Sequence, residues 1–290
     1  MRQSSASAPQ LSVEQSGDAT EARQALAPAA PWIERIARVG FAAKAVLYTV
    51  VGSLALQAAF GDGGRTTGSR GALTTLVRQR FGSILLVAIA AGLFGYAAWR
   101  LIEAVLDPER RGTGIKGIAS RIGNAARGVF HASLGVQAIR VAAGFARETE
   151  RSAETWTARA LDAPVGPWIV AITGAAVVGY GLHQLYRAAT AKLSRQLDLS
   201  RLSRETGSWV VKVCRVGIAA RGIVFVVIGG YLCRAGIARR AEQAVDTGEA
   251  LDVIGHQPFG QWLLASVAVG LIAYGAYEIV QARYRRIRPA

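Results

Sequence analysis

The sequence predicts an all-α, polytopic membrane protein: six transmembrane helices forming three parallel helical-hairpin repeats in a pseudo-threefold arrangement. Three observations carry that reading. First, one segment recurs as Arg38-Val39-Gly40-Phe41-Ala42-Ala43-Lys44, Arg121-Ile122-Gly123-Asn124-Ala125-Ala126-Arg127 and Arg215-Val216-Gly217-Ile218-Ala219-Ala220-Arg221. A repeat of that period fixes the architecture before individual elements are read. Second, six apolar runs approach the roughly 20 residues needed to cross a bilayer. Third, basic residues crowd alternate connections, as they do in membrane proteins oriented by positive charge.

Residues 1–31, rich in Ser, Ala, Gln and Pro, read as a disordered cytoplasmic tail without the apolar core of a signal peptide. Trp32 to Ile36 read as a short interfacial segment. The apolar runs then fall near 40–60, 82–104, 123–145, 165–187, 217–237 and 260–282. They give a hairpin repeat over 32–108, a second over 109–190, and a cytoplasmic linker, third hairpin and basic tail over 191–290. Each odd run carries a glycine (Gly52, Gly135, Gly229), an aromatic or His (Tyr48, His131, Phe225) and a long polar residue (Gln57, Arg140, Arg234) at matched offsets. The even runs start at Gly82, Gly166 and Gly260, with Tyr96, Tyr180 and Tyr274 fourteen residues later. Small neighbours such as Gly92, Gly95, Gly179, Gly181 and Gly275 suit close helix approach, because packing drives association in lipid. Gly61 to Arg70 lacks the lysine of a phosphate loop and reads as a flexible outward turn. Ala191 to Lys212, basic with scattered leucines, reads as a linker with a short interfacial helix.

The 290 residues are 51% apolar yet carry a net charge of +15. Segregation reconciles the two: apolar runs alternate with charged connections, so the basic residues orient a membrane protein and form no nucleic-acid stripe. Counted with Lys44, Arg127 and Arg221 at the starts of the odd runs, the connections preceding those runs and the two tails hold more than twice the Lys and Arg of the other three loops. Both termini are therefore expected in the cytoplasm. Cys214 and Cys233, 19 residues apart on one expected helix, would lie roughly 28 Å apart, too far for a disulfide.

The thrice-repeated Arg-x-Gly-x-Ala-Ala-(Lys/Arg), with the Phe81-Gly82 and Phe259-Gly260 starts of the second helices, resembles the DUF1206 family of bacterial membrane proteins, described by three copies of a two-helix unit. The resemblance spans roughly 35–288. The chain departs from that pattern at Lys44, where Arg is usual, at Val165-Gly166 for Phe-Gly, and at His131 for an aromatic. It implies the fold and a multi-pass location in the inner (plasma) membrane, and no reaction.

Lys44, Arg127 and Arg221 are the candidate site for an anion or lipid headgroup, expected within the first turn or so of the odd helices. Cations there oppose the helix dipole, so partners are expected. Glu103 and Glu278 are expected to pair with Lys44 and Arg221 within their hairpins. Repeat two has Gln184 and Arg187 where repeat one has Arg100 and Glu103. That leaves it an excess of positive charge, and an asymmetric pocket should open there. Tyr96, Tyr180 and Tyr274 are expected to bond across helices, with His131 and His183 able to approach them. Arg140 and Arg234 are expected near the outer interface, facing acidic loops.

No nucleophile–base grouping and no ligand cluster of metal spacing stands out, so neither an enzyme, a metal nor another cofactor is expected. The expected function is a scaffold, or a bundle binding anionic lipid headgroups, a protein partner or further copies of itself. Nucleic acid is not expected as a partner. The alternative is a small-anion or solute pore along the pseudo-threefold axis.

Overall fold

The computed structural model of the chain describes residues 30–61, 66–106, 114–145, 152–190 and 203–285. Residues 1–29 of the tail expected over 1–31, Asp62 to Arg65, and Ala191 to Leu202 of the linker lie outside the described residues; Ala30 and Pro31 begin the first helix. Long helices α1 (Ala30–Phe60), α4 (Ile115–Ala142) and α7 (Arg204–Ala238) open the three repeats. Long helices α3 (Gly82–Leu106), α6 (Gly166–Thr190) and α9 (Gly260–Tyr284) close them. Each repeat also has a short helix between its long ones: α2 (Ser69–Val77), α5 (Ser152–Leu161) and α8 (Thr247–Gly255). The unit is thus three helices, where the apolar runs alone suggested two. Ser69 and Arg70, read as part of a turn, begin α2, and the expected interfacial segment near Trp32 is the start of α1.

Local sequence sets these boundaries. Gly61 and Gly144 take positive φ, 78° and 83°, where α1 and α4 end. Ser203 caps α7 by accepting from the Thr206 N–H, and Asp246 with Glu249 forms a capping box on α8. Gly82, Gly166 and Gly260 are set by close approach. A Cβ on them would stand 2.4, 1.9 and 1.8 Å from the carbonyls of Leu76, Ala160 and Gly255 in the preceding short helices. Phe81 and Phe259 just before them adopt left-handed φ, 65° and 60°. Val165 is not among the positive-φ residues, as a β-branched side chain disfavours that region.

The helices α1, α3, α6, α7 and α9 are each long and apolar enough to cross a membrane, which makes this a multi-pass membrane protein. Helix α4, which holds most of the third expected run, falls short on composition because it carries Arg121, Asn124, Arg127, Gln137 and Arg140. Its 28 residues still span about 42 Å.

The most extensive packing joins α6 to α7, α9 to α1 and α3 to α4. The second long helix of each repeat therefore packs on the first of the next, and the last repeat closes on the first. Within repeats, α1 packs on α3 and α7 on α9 less extensively, while α4 and α6 scarcely touch. The same kind of packing thus recurs at all three seams between repeats, while the middle hairpin lacks the contact that the other two make internally. The main core gathers Val51 and Ala55 of α1, Leu86 and Leu93 of α3, Leu134 and Val141 of α4, Leu251 of α8 and Leu271 of α9.

Candidate functional site

Lys44, Arg127 and Arg221 are not in the first turns of their helices. They lie 14, 12 and 17 residues from Ala30, Ile115 and Arg204, near the midpoints of α1, α4 and α7. The helices begin earlier than their apolar runs, so the helix-dipole argument does not apply. Beside the cations lies a tier of rings, paired edge-on across the seams between repeats. Tyr48 meets Tyr274 at 4.6 Å, His131 meets Tyr96 at 4.6 Å, and Phe225 meets Tyr180 at 5.2 Å between centroids. Each cation stands over the tyrosine of its own repeat: Lys44 at 4.4 Å from the Tyr96 centroid, Arg127 at 5.4 Å from Tyr180, and Arg221 at 5.0 Å from Tyr274. Such cation–ring contacts strengthen where water is excluded.

The carboxylates are distributed differently from the expectation. Lys44 Nζ donates to Glu278 Oε1 at 2.6 Å, across the α9–α1 seam, with both side chains buried. Glu103 instead accepts from Arg100, one turn away at 2.5 Å, and lies 3.7 Å from Arg285. The Lys44–Glu103 and Arg221–Glu278 pairs expected within hairpins are therefore absent, because the seams between repeats bring different helices together. Arg221 donates to the hydroxyls of Tyr48 and Tyr180 at 2.9 and 3.1 Å, and Arg127 donates to Asn124 Oδ1 at 3.0 Å. Among the described residues, neither guanidinium has a carboxylate partner.

The first arginine of each motif had no assigned role in the sequence. Arg38 donates to the carbonyls of Ala282 and Arg283, Arg121 to those of Ala104 and Val105, and Arg215 to those of Ala188 and Ala189. All six carbonyls are at the C-terminal ends of α9, α3 and α6, at matched positions. Each arginine therefore satisfies the last carbonyls of the neighbouring repeat and complements the negative end of that helix. In the first and third repeats the motif glycine admits a neighbour: a Cβ at Gly40 would stand 2.5 Å from Tyr96 Cβ, and one at Gly217 would stand 2.4 Å from the Tyr274 nitrogen. Arg, Gly and the closing cation thus serve three contacts on one helix.

The family comparison matches three stretches, each starting one residue after a motif arginine and running through the second long helix of its repeat. The family described as Domain of Unknown Function (DUF1206) matches residues 39–107, 122–191 and 216–285. The chain belongs to the DUF1206 family. It is also 32% identical over 257 residues to the "Uncharacterized protein YxxB" of Bacillus subtilis (strain 168), covering 89% of this chain and 93% of that protein. No solved structure matches.

Within this DUF1206 protein, the middle repeat differs from its neighbours. A Cβ at Gly123 would meet only Arg127, at 3.7 Å, and one at Gly179 would meet nothing within 4 Å. The equivalent Gly40 and Gly95 are pressed against the opposite helix of their hairpin. The opening falls in repeat two, but Arg187 does not mark it: Arg187 donates to Gln184 Oε1 at 3.1 Å and bonds the Tyr277 hydroxyl. The half-buried cation at the opening is Arg127.

Other expectations divide. Tyr180 bonds across helices to Arg221, whereas Tyr96 accepts from Arg100 on its own helix at 2.8 Å. His131 reaches Tyr96 and hydrogen bonds the Arg127 carbonyl at 2.7 Å, while His183 is exposed. Arg140 and Arg234 are exposed, with Arg234 over the Tyr231 ring. Cys214 and Cys233 are both free. Among the described residues no group of three His, Cys, Asp or Glu side chains could hold a metal ion. Chemically, the tier offers guanidinium and phenol donors to an anion.

Proposed function

We propose that the protein is a non-enzymatic helix bundle of the bacterial plasma membrane that binds an anionic group, such as a lipid headgroup phosphate, at Arg127 and Arg221, beside the Lys44–Glu278 pair. One observation carries the reading. Lys44 and Arg100 have carboxylates beside them, whereas Arg127 and Arg221 have none among the described residues and bracket a single ring, Tyr180. An uncompensated charge inside a helix bundle costs several kcal/mol, so a bound anion is the natural complement. The loop charges support six crossings, α4 included, with both termini cytoplasmic. An axial pore is the weaker reading, since the largest apolar cluster among the described residues draws side chains from α1, α3, α4, α7 and α9 together.

The test is native mass spectrometry of protein gently released from its own membrane, beside the Arg127→Gln/Arg221→Gln variant. The expected result is an anionic phospholipid or small anion held by the wild type and missing from the folded variant. A bare protein in both would reduce the cations to structural groups. Chloride or phosphate flux in liposomes that disappears with Arg127→Gln would favour the pore instead.

A further inference from the structure

The middle hairpin has the small residues that close the other hairpins, yet it stands open. Gly123 and Ala126 of α4 occupy the positions of Gly40 and Ala43, and Ala176 and Gly179 of α6 those of Gly92 and Gly95. The four in the first hairpin are buried; in the middle one Ala126, Ala176 and Gly179 are exposed and Gly123 is half-buried. Phe130 stands where Leu47 and Val224 are buried, and it is 50% exposed. Between α4 and α6 there is consequently a groove with apolar walls. Arg127 bridges it, reaching from α4 to the Tyr180 ring on α6. Among the described residues its side chain donates only to Asn124, leaving most of its five donors for a ligand. Tyr180 itself lies in the combined field of Arg221, Arg127 and Lys44.

We propose that this groove is a binding site for an anionic phospholipid, with its phosphate on Arg127 and an acyl chain along Phe130, Ala126 and Ala176. The inference rests on the anion-binding reading above and adds the ligand's class and its route. Guanidinium recognises phosphate bidentately, and basic pockets between transmembrane helices take lipid headgroups. The open apolar walls favour a lipid over a free anion: inorganic phosphate would neutralise Arg127 and leave the walls uncovered, whereas an acyl chain covers them.

The experiment titrates the full chain in detergent with phosphatidylglycerol, phosphatidylcholine and inorganic phosphate, read by native mass spectrometry. The wild type is expected to retain one phosphatidylglycerol at least tenfold more tightly than phosphatidylcholine. Arg127→Gln should weaken it at least tenfold. Gly179→Leu, whose Cβ would meet nothing within 4 Å and whose remaining atoms would extend into the groove, should do the same while unfolding at the wild-type temperature. Gly230→Leu, equally unhindered but on α7, should bind as the wild type does. Undiminished phosphatidylglycerol binding by Gly179→Leu, or equal retention of the two lipids, overturns the proposal. So does a dimer sealed through the groove and lost in Gly179→Leu. Uptake of phosphate but not phospholipid overturns this inference alone; uptake of neither overturns the anion-binding reading as well.

Discussion

Lys44 illustrates what a single residue can and cannot disclose. Its expected place at a helix start called for a partner; the structure buries it mid-helix and supplies a carboxylate from Glu278, not Glu103. Glu103 was a reasonable candidate on depth alone. Arg100, three residues away on the same helix, holds it instead. Removing one partner of a buried pair leaves the other charge stranded, so Glu278→Gln or Lys44→Met should each destabilise the protein by about 3–5 kcal/mol. The double change Lys44→Met/Glu278→Met should recover most of that loss, since two apolar side chains can fill the site. Unfolding in micelles reads this directly. Losses that simply add in the double variant would show that the two residues do not act as a pair.

At the scale of elements, the repeat was legible because glycines, tyrosines and motif arginines keep their spacing through three copies. Which helix each would touch was not legible. The ion pairs were expected within hairpins, whereas the dominant seams join each repeat to the next. The short helices α2, α5 and α8 were missed because nine or ten residues of mixed polarity give no span-length signal. The arginine caps yield a directional prediction. Arg38→Gln should loosen the last turn of α9, Arg121→Gln that of α3, and Arg215→Gln that of α6, each by about 1 kcal/mol. Hydrogen exchange at those turns is the measurement, and protection lost only in the mutated helix would count against the caps. Likewise Gly217→Leu should destabilise strongly, as its Cβ strikes the Tyr274 backbone, while Gly123→Leu should be mild.

For the whole molecule, the fold class, the three repeats and the family could be read from the sequence; the asymmetry of the middle hairpin could only be suspected from its excess charge. Its helix α4 is also where hydropathy and repetition disagree, since repetition demands a crossing that composition alone does not reveal. Cysteines placed at Gly114 and Gly144 settle the matter. A crossing α4 should leave Gly114→Cys open to reagent from the cytoplasm and Gly144→Cys from outside. Labelling of both from one side would remove the sixth span and, with it, the shared side of the two termini.

The seam between α9 and α1 has a consequence for how the protein is made. A ribosome delivers α1 first and α9 last, so Lys44 enters the membrane more than two hundred residues before Glu278 is synthesised. Until then its ammonium lacks its counterion and α1 lacks the partner for its most extensive contact. An unpaired Lys44 is the feature by which quality control is expected to recognise a chain that lacks its final helix. A chain truncated before Gly260 should be short-lived in cells, and Lys44→Leu should lengthen that lifetime. Equal turnover of the two truncated chains would mean that quality control does not sense the unpaired charge.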